Sequence, residues 1–164
     1  MFNGLFTELL LALLAAILIV AAVIDVRTFT ISNRLTATVA LLAPVYWLSI
    51  ALTPWPGMAT HIAAGAIVFV LLALAFWAGM MGGGDVKLAA ALALWFSPAG
   101  TMRFLVMMSI AGGVLTLGIL IYHRVRKREG RPEIPYGVAI AAGGLMVLAP
   151  HLATLTQRFL NQFV

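Results

Sequence analysis

Charge is what this sequence has least of. Lys, Arg, Asp and Glu together make up 9% of its 164 residues, against about 25% in soluble domains. Hydrophobic residues make up 63%, so the composition is typical of an integral membrane protein whose partner is the lipid bilayer. The net charge of +5 does not indicate nucleic acid, because most basic residues fall in short loops between apolar runs, where membrane topology explains them.

Cysteine is absent altogether, which excludes disulfide bonds and thiolate metal sites. The three histidines are expected near different faces of the membrane, with His61 and His151 near the outer face and His123 near the inner face. They cannot meet at one metal ion, and the H-E-x-x-H motif is missing. The sequence therefore predicts neither a metal nor a cofactor.

Apolar runs divide the chain into six predicted transmembrane helices within a single domain, residues 1–164, of the all-α membrane class. The runs cover residues 5–24, 35–52, 59–78, 84–97, 104–122 and 134–149, and residues 151–164 form a tail expected to lie in the membrane interface. The fourth run is the doubtful one, because its apolar part, residues 86–96, spans only about 16 Å as a helix. The hydrocarbon core is roughly 30 Å thick.

Basic residues predict the orientation and resolve the doubt about the fourth run. Eight of the ten Lys and Arg residues follow the first, third and fifth runs, so these loops are expected to be cytoplasmic and both termini extracytoplasmic. Lys87 and Arg124 then lie on the same side, which requires an even number of crossings between them and makes the fourth run a span. Aromatic residues near the run ends are expected to form an interfacial belt: Trp47, Trp55, Trp77, Trp95, Tyr122 and Tyr136.

The chain has only two aspartates, and both border apolar runs. Asp25 closes the first run and Asp85 opens the fourth, which places both at the cytoplasmic level. Asp85 could simply stabilise a helix N-terminus, but Asp25 is at a helix C-terminus, where the dipole disfavours an anion. Two carboxylates in one site can share a proton and activate a water. The pattern therefore favours an intramembrane aspartyl protease.

Three motifs resemble those of the type IV prepilin peptidases. Residues 82–88, Gly-Gly-Gly-Asp-Val-Lys-Leu, are similar to the family signature Gly-x-Gly-Asp-x-Lys-Leu. Residues 25–33 are similar to the first aspartate box of the family, except that Ser32 stands where the family usually has proline. Pro135-Tyr136-Gly137 resembles the Pro-Phe/Tyr-Gly element that opens the last helix.

The resemblance implies catalytic roles for Asp25 and Asp85 and roles in substrate binding or support for eight further residues: Gly82, Gly84, Lys87, Arg27, Asn33, Pro135, Tyr136 and Gly137. It implies an enzyme of the bacterial inner membrane that removes the leader peptide from prepilins, with its active site on the cytoplasmic side. Bifunctional members carry an additional N-terminal methylating domain, often with paired cysteines. This cysteine-free chain leaves no room for that domain and resembles the short peptidase-only members that serve tight-adherence, or Flp-type, pilus systems.

Two other functions stay open at this point. The aspartates could form the relay of a small proton-coupled transporter, or the chain could be a membrane subunit of a secretion machine with no chemistry of its own. Transporter sites usually lie near the bilayer midplane on broken helices, whereas both carboxylates are expected here at one membrane face. Exchange of each aspartate for asparagine separates the three, since only a protease would lose cleavage.

Overall fold

The computed structural model describes residues 2–127 and 133–161 of the chain. In these two stretches the backbone forms six α-helices, a short π-helical turn at Pro54–Met58, and no strand. This confirms the all-α class. The helices are α1 Phe2–Thr28, α2 Asn33–Ser49, α3 Ala59–Trp77, α4 Gly83–Ala93, α5 Pro98–Val125 and α6 Tyr136–Asn161.

Four segments within the described residues are long and apolar enough to cross a membrane, namely Gly4–Thr28, Pro54–Trp77, Pro98–Val125 and Tyr136–Leu155. The protein is therefore a multi-pass membrane protein. Helix α2 has 17 residues and α4 has 11, or about 26 Å and about 16 Å of axial length. The six crossings and the orientation of the termini stay predictions.

Helix α4 ends earlier than the sequence predicts, at Ala93 rather than at residue 97. The backbone N–H groups of Trp95 and Phe96 donate to Leu92 and Ala93, so the chain tightens into a turn at this point. The Ser97 side chain then accepts from Gly100 N at 3.3 Å and caps the start of α5.

Helix α6 continues past Pro150 to Asn161, whereas the sequence predicts that the last span ends there and that a separate tail follows. The helix therefore does not end at Pro150, while the interfacial position of the tail stays a prediction. Proline removes one backbone donor from a helix, but membrane helices tolerate it when their neighbours compensate. Residues 162–164 of the predicted tail lie outside the described residues.

The core is centred on α4, which packs against α2, α3 and α6, while α6 also packs against α1 and α5. Glycines permit the closest approaches. A Cβ atom at Gly144 would lie 2.6 Å from Leu92 Cδ2, and one at Gly143 would lie 2.7 Å from Met108 N. Leucines of α1 and α4 fill the space beside α6, and their side chains are fully buried: Leu14, Leu18, Leu88 and Leu92.

The predicted aromatic belt is only partly present. Trp55 and Trp77 are 82% and 88% exposed, as lipid-facing or interfacial side chains would be. Trp47 and Trp95 are 5% and 2% exposed, so for these two the prediction is wrong. Each donates its indole N–H to a backbone carbonyl inside the bundle, and a tryptophan with a satisfied N–H can be buried.

Candidate active site

Asp25 lies in the last turn of α1, which ends three residues later at Thr28. The Phe29 N–H donates to the Asp25 carbonyl at 2.8 Å, and Phe29 adopts a left-handed φ of 50°. The Thr28 hydroxyl donates to Ile24 O at 2.9 Å. A left-handed residue after the last turn is a common way to end a helix, and here it keeps Asp25 at the end of the bundle where the chain turns back.

The Asp25 carboxylate faces the start of α6. Its side chain is 2% exposed and accepts hydrogen bonds from the backbone N–H groups of Gly137 and Val138. These N–H groups belong to the first turn of α6, where a helix has free donors and a positive partial charge. Asp25 Oδ2 is buried and has no hydrogen-bond partner within the described residues. Such an atom is rare in a folded protein and is available to accept a further hydrogen bond.

Asp85 is held at the start of α4. It is the third residue of the helix, and its Oδ2 accepts from Gly82 N at 3.2 Å. A carboxylate at this position stabilises a helix N-terminus. Asp85 therefore does stabilise the start of α4, which is the structural role that the sequence left open for it. The side chain is also 9% exposed and lies close enough to Asp25 for the two carboxyl groups to interact electrostatically.

Two glycines allow three segments to meet around these carboxylates. A Cβ atom at Gly137 would lie 2.8 Å from both Cγ and Oδ2 of Asp25, and 2.7 Å from Ile31 Cδ1. A Cβ atom at Gly84 would lie 2.9 Å from the Ile31 carbonyl oxygen. Real Cβ atoms do not come so close, so only glycine fits at either position without a shift. The end of α1, the start of α4 and the start of α6 thus converge at one end of the bundle.

A family model described as the type IV leader peptidase family matches residues 12–117. The match covers more than half of the chain and includes both aspartates. The chain belongs to the type IV leader peptidase family. No curated protein and no solved structure matches it. The matched range ends within α5, so the contacts that Gly137 and Val138 make with Asp25 come from a part of this leader peptidase beyond the match.

Lys87 and Asn33 join two helices of the peptidase beside the site. Lys87 Nζ donates to Asn33 Oδ1 at 3.0 Å, and both side chains are exposed. Asn33 begins α2 and Lys87 lies in the first turns of α4. The hydrogen bond therefore ties the start of α4 to the start of α2, two residues beyond Asp85.

Ser32 adopts the extended backbone that a proline would favour at this position. Its φ of −70° is within the range that proline fixes. Its hydroxyl accepts from Leu35 N at 3.3 Å, and so it acts as the N-cap of α2. The departure from the family pattern thus keeps the extended backbone and adds a cap.

The other residues singled out in the sequence surround this junction. Arg27 is exposed in the last turn of α1, and Gly82 is exposed before α4. Pro135 is buried immediately before α6, and Tyr136 is half-buried, with its ring beside Gly112 of α5.

Val138 is the residue that sequence analysis missed. It contributes a backbone N–H to Asp25, and any residue except proline could do so. No residue-type pattern therefore marks it, and only its position after Pro135-Tyr136-Gly137 could have indicated it.

Proposed function

We propose that this leader peptidase is an intramembrane aspartic endopeptidase that cleaves the leader from Flp-type prepilins. The observation that carries the proposal is the pair of buried carboxylates, Asp25 and Asp85, which interact electrostatically. One of them keeps a buried oxygen without a partner within the described residues. The Flp-type substrate rests on the resemblance of the sequence to peptidase-only members of the family.

The chemistry follows from the closeness of the two carboxylates. Two such groups in one poorly solvated site do not both ionise readily, so they hold one proton between them. The ionised group takes a proton from water as the water oxygen attacks the peptide carbonyl. The protonated group donates its proton to the carbonyl oxygen, which gives a gem-diol intermediate. The group that took the proton from water then donates it to the leaving amine, while its partner takes a proton from a gem-diol hydroxyl. Water is consumed, the C–N bond breaks, and the pair returns to its shared-proton state. The pair acts as a unit, so neither residue is assigned one fixed role.

The remaining contacts support this cycle. The N–H groups of Gly137 and Val138 hold Asp25 in place, so its second oxygen remains free for the proton. Gly82 is exposed and carries no side chain, which leaves room for a substrate backbone to approach Asp85. The site lies at the end of the bundle. The scissile bond is therefore expected on the cytoplasmic side of the inner membrane, just before the apolar helix of the substrate.

Asparagine at each aspartate tests the mechanism. Asp25→Asn and Asp85→Asn keep the side-chain shape but cannot exchange the proton, so each should lower prepilin cleavage by roughly 10²- to 10⁴-fold. The double variant should be no worse than either single one, because the two groups act together. EDTA should not inhibit. Cleavage is measured with a Flp-type prepilin and enzyme reconstituted together in liposomes.

Glu8→Gln is the matched control, since it removes a carboxylate from the far end of the same helix α1. It should cleave at the native rate. Product formed at the native rate by either asparagine variant would contradict the aspartic mechanism and return the transporter and secretion-subunit alternatives to consideration.

Orientation is tested separately. We expect both termini to be extracytoplasmic, with the loops that contain Arg27 and Lys87 in the cytoplasm. A reporter that is active only in the cytoplasm should be silent when fused after Val164. Activity of that fusion would contradict the cytoplasmic placement of the site while leaving the chemistry untouched.

A further inference from the structure

The C-terminal end of α4 accepts hydrogen bonds from two aromatic side chains of neighbouring helices. The Leu94 carbonyl, directly after α4, accepts from Trp47 Nε1 at 2.8 Å and is 3.0 Å from His61 Nδ1. A carbonyl oxygen can only accept, and it has two lone pairs, so His61 donates as the Nδ1–H tautomer and both lone pairs are used. The two side chains are 5% and 6% exposed and come from α2 and α3. We call Trp47 and His61 the α4 clamp.

Other contacts secure the same turn. Trp95 donates its indole N–H to Val39 O at 2.9 Å, and its ring stacks on Tyr46 with 5.2 Å between centroids. The Thr101 hydroxyl lies 3.5 Å from the carbonyl of Ala93. Helices α2, α3 and α5 thus all contribute to the place where α4 ends.

We infer that Trp47 and His61 are positioning residues of the peptidase, which set the place of Asp85 by fixing the opposite end of α4. This inference rests on the proposed function. Leu94 lies about 14 Å from Asp85 along the helix axis, and a helix of this length transmits a shift of one end to the other. At about 16 Å the helix is shorter than the hydrocarbon core of roughly 30 Å. Its last carbonyls are therefore expected within the membrane and need partners from the protein.

The start of α4 is joined to α2 by a weaker contact than its end. Among the described residues, the exposed Lys87–Asn33 hydrogen bond joins the two helices beside Asp85. Helix α2 therefore contacts both ends of α4. The contact beside Asp85 is an exposed hydrogen bond, and the contact at Leu94 is made by the buried Trp47 side chain. A misplacement of about 1 Å at a reacting group can cost 10²-fold in rate, so a small movement of α4 is enough to matter.

Matched substitutions test the clamp. Trp47→Phe removes the indole N–H and keeps an aromatic ring, and Trp77→Phe makes the same change at an exposed tryptophan. Since the expected shift is a fraction of 1 Å, Trp47→Phe and His61→Leu should each lower kcat by about 10-fold, and the double variant by about 100-fold. KM should not change, because no clamp residue touches substrate. His61→Gln keeps a side-chain N–H and should regain most of the loss, and Trp77→Phe should match the native enzyme.

A second measurement follows the position of α4 without any cleavage. The chain has no cysteine, so the pair Asn33→Cys and Lys87→Cys can be joined selectively with bis-maleimides of graded length. We expect the cross-linker length that joins the two cysteines most efficiently to differ between the Trp47→Phe/His61→Leu variant and the protein with an intact α4 clamp. Thermal melting of each purified variant reports whether it is folded. If the double variant is not folded, the cross-linking is carried out in the milder Trp47→Phe variant.

The outcomes are distinguishable. A folded clamp variant with native kcat would overturn the inference, and so would a loss of kcat with an unchanged cross-linking profile. If even the native enzyme cleaved no prepilin, the proposed function would fail, while the cross-linking profile would still decide whether the clamp positions α4.

Discussion

The two ends of α4 differ in how their polar groups are treated. At its start, the Asp85 carboxylate lies near the Asp25 carboxylate, whose buried Oδ2 has no hydrogen-bond partner within the described residues, and Gly82 is exposed. At its other end, Trp47 and His61 donate to the Leu94 carbonyl, and Trp95 donates to the Val39 carbonyl of α2. Unsatisfied polar groups cost stability, so a protein keeps them where they serve chemistry. The comparison separates an end arranged for reaction from an end arranged for rigidity.

The largest effect at the reactive end, short of altering an aspartate, is expected from Gly137→Ala. The added methyl would overlap Asp25 Cγ and Oδ2, so the carboxylate or the start of α6 must move by about 1 Å. A fall in cleavage of about 10²-fold should follow. Gly113→Ala in α5 is the control, because a Cβ there meets nothing within 4 Å. Rates for both variants are measured by prepilin processing in liposomes, and equal rates would show that the glycine contact does not position Asp25.

Neighbouring glycines at the start of α4 allow a finer test. The methyl of Gly84→Ala would lie 2.9 Å from the Ile31 carbonyl oxygen, whereas that of Gly83→Ala would lie 3.4 Å from the flexible Phe76 ring. A backbone atom cannot move aside as a ring edge can. Gly84→Ala should therefore reduce kcat by about 10-fold through a shift of Asp85 of a fraction of 1 Å, and Gly83→Ala should stay near the native value. The reverse order of rates would mean that the glycines serve substrate entry rather than the place of α4.

The sequence of a membrane protein predicts how deep each residue lies in the membrane better than it predicts which way each helix faces. Hydrophobic runs and the distribution of Lys and Arg fix depth along the membrane normal, so Asp25 and Asp85 could be predicted to share one level. Rotation of each helix about its axis was not predictable. Lipid and protein core are equally apolar, so the helix faces carry no contrast. The sequence therefore predicts Trp47 and Trp95 in the aromatic belt, although both side chains are buried in the bundle.

Backbone contacts were also beyond sequence analysis. The donors to Asp25 are N–H groups of Gly137 and Val138, and their placement depends on how α6 packs across α1. As a motif, Pro135-Tyr136-Gly137 indicates no contact with Asp25. Continuation of α6 through Pro150 likewise depends on tertiary packing, since the local preference at a proline is to end or kink a helix.

The smallest expected effect concerns Ser32, where this sequence departs from the family pattern. Ser32→Ala removes the cap on Leu35 N and should destabilise the protein by about 1 kcal/mol, or about 2–4 °C in melting temperature for a chain of this size. Ser32→Pro loses the same cap, but its fixed φ suits the native −70° and restricts the unfolded chain, which offsets about 0.4–1 kcal/mol. The proline variant should thus melt close to the native protein and above the alanine variant. Both should cleave prepilin at the native rate, because the hydroxyl faces α2 rather than the carboxylates. If the proline variant melted below the alanine variant, the backbone at Ser32 would need a freedom that proline lacks, and the serine would be more than a substitute cap.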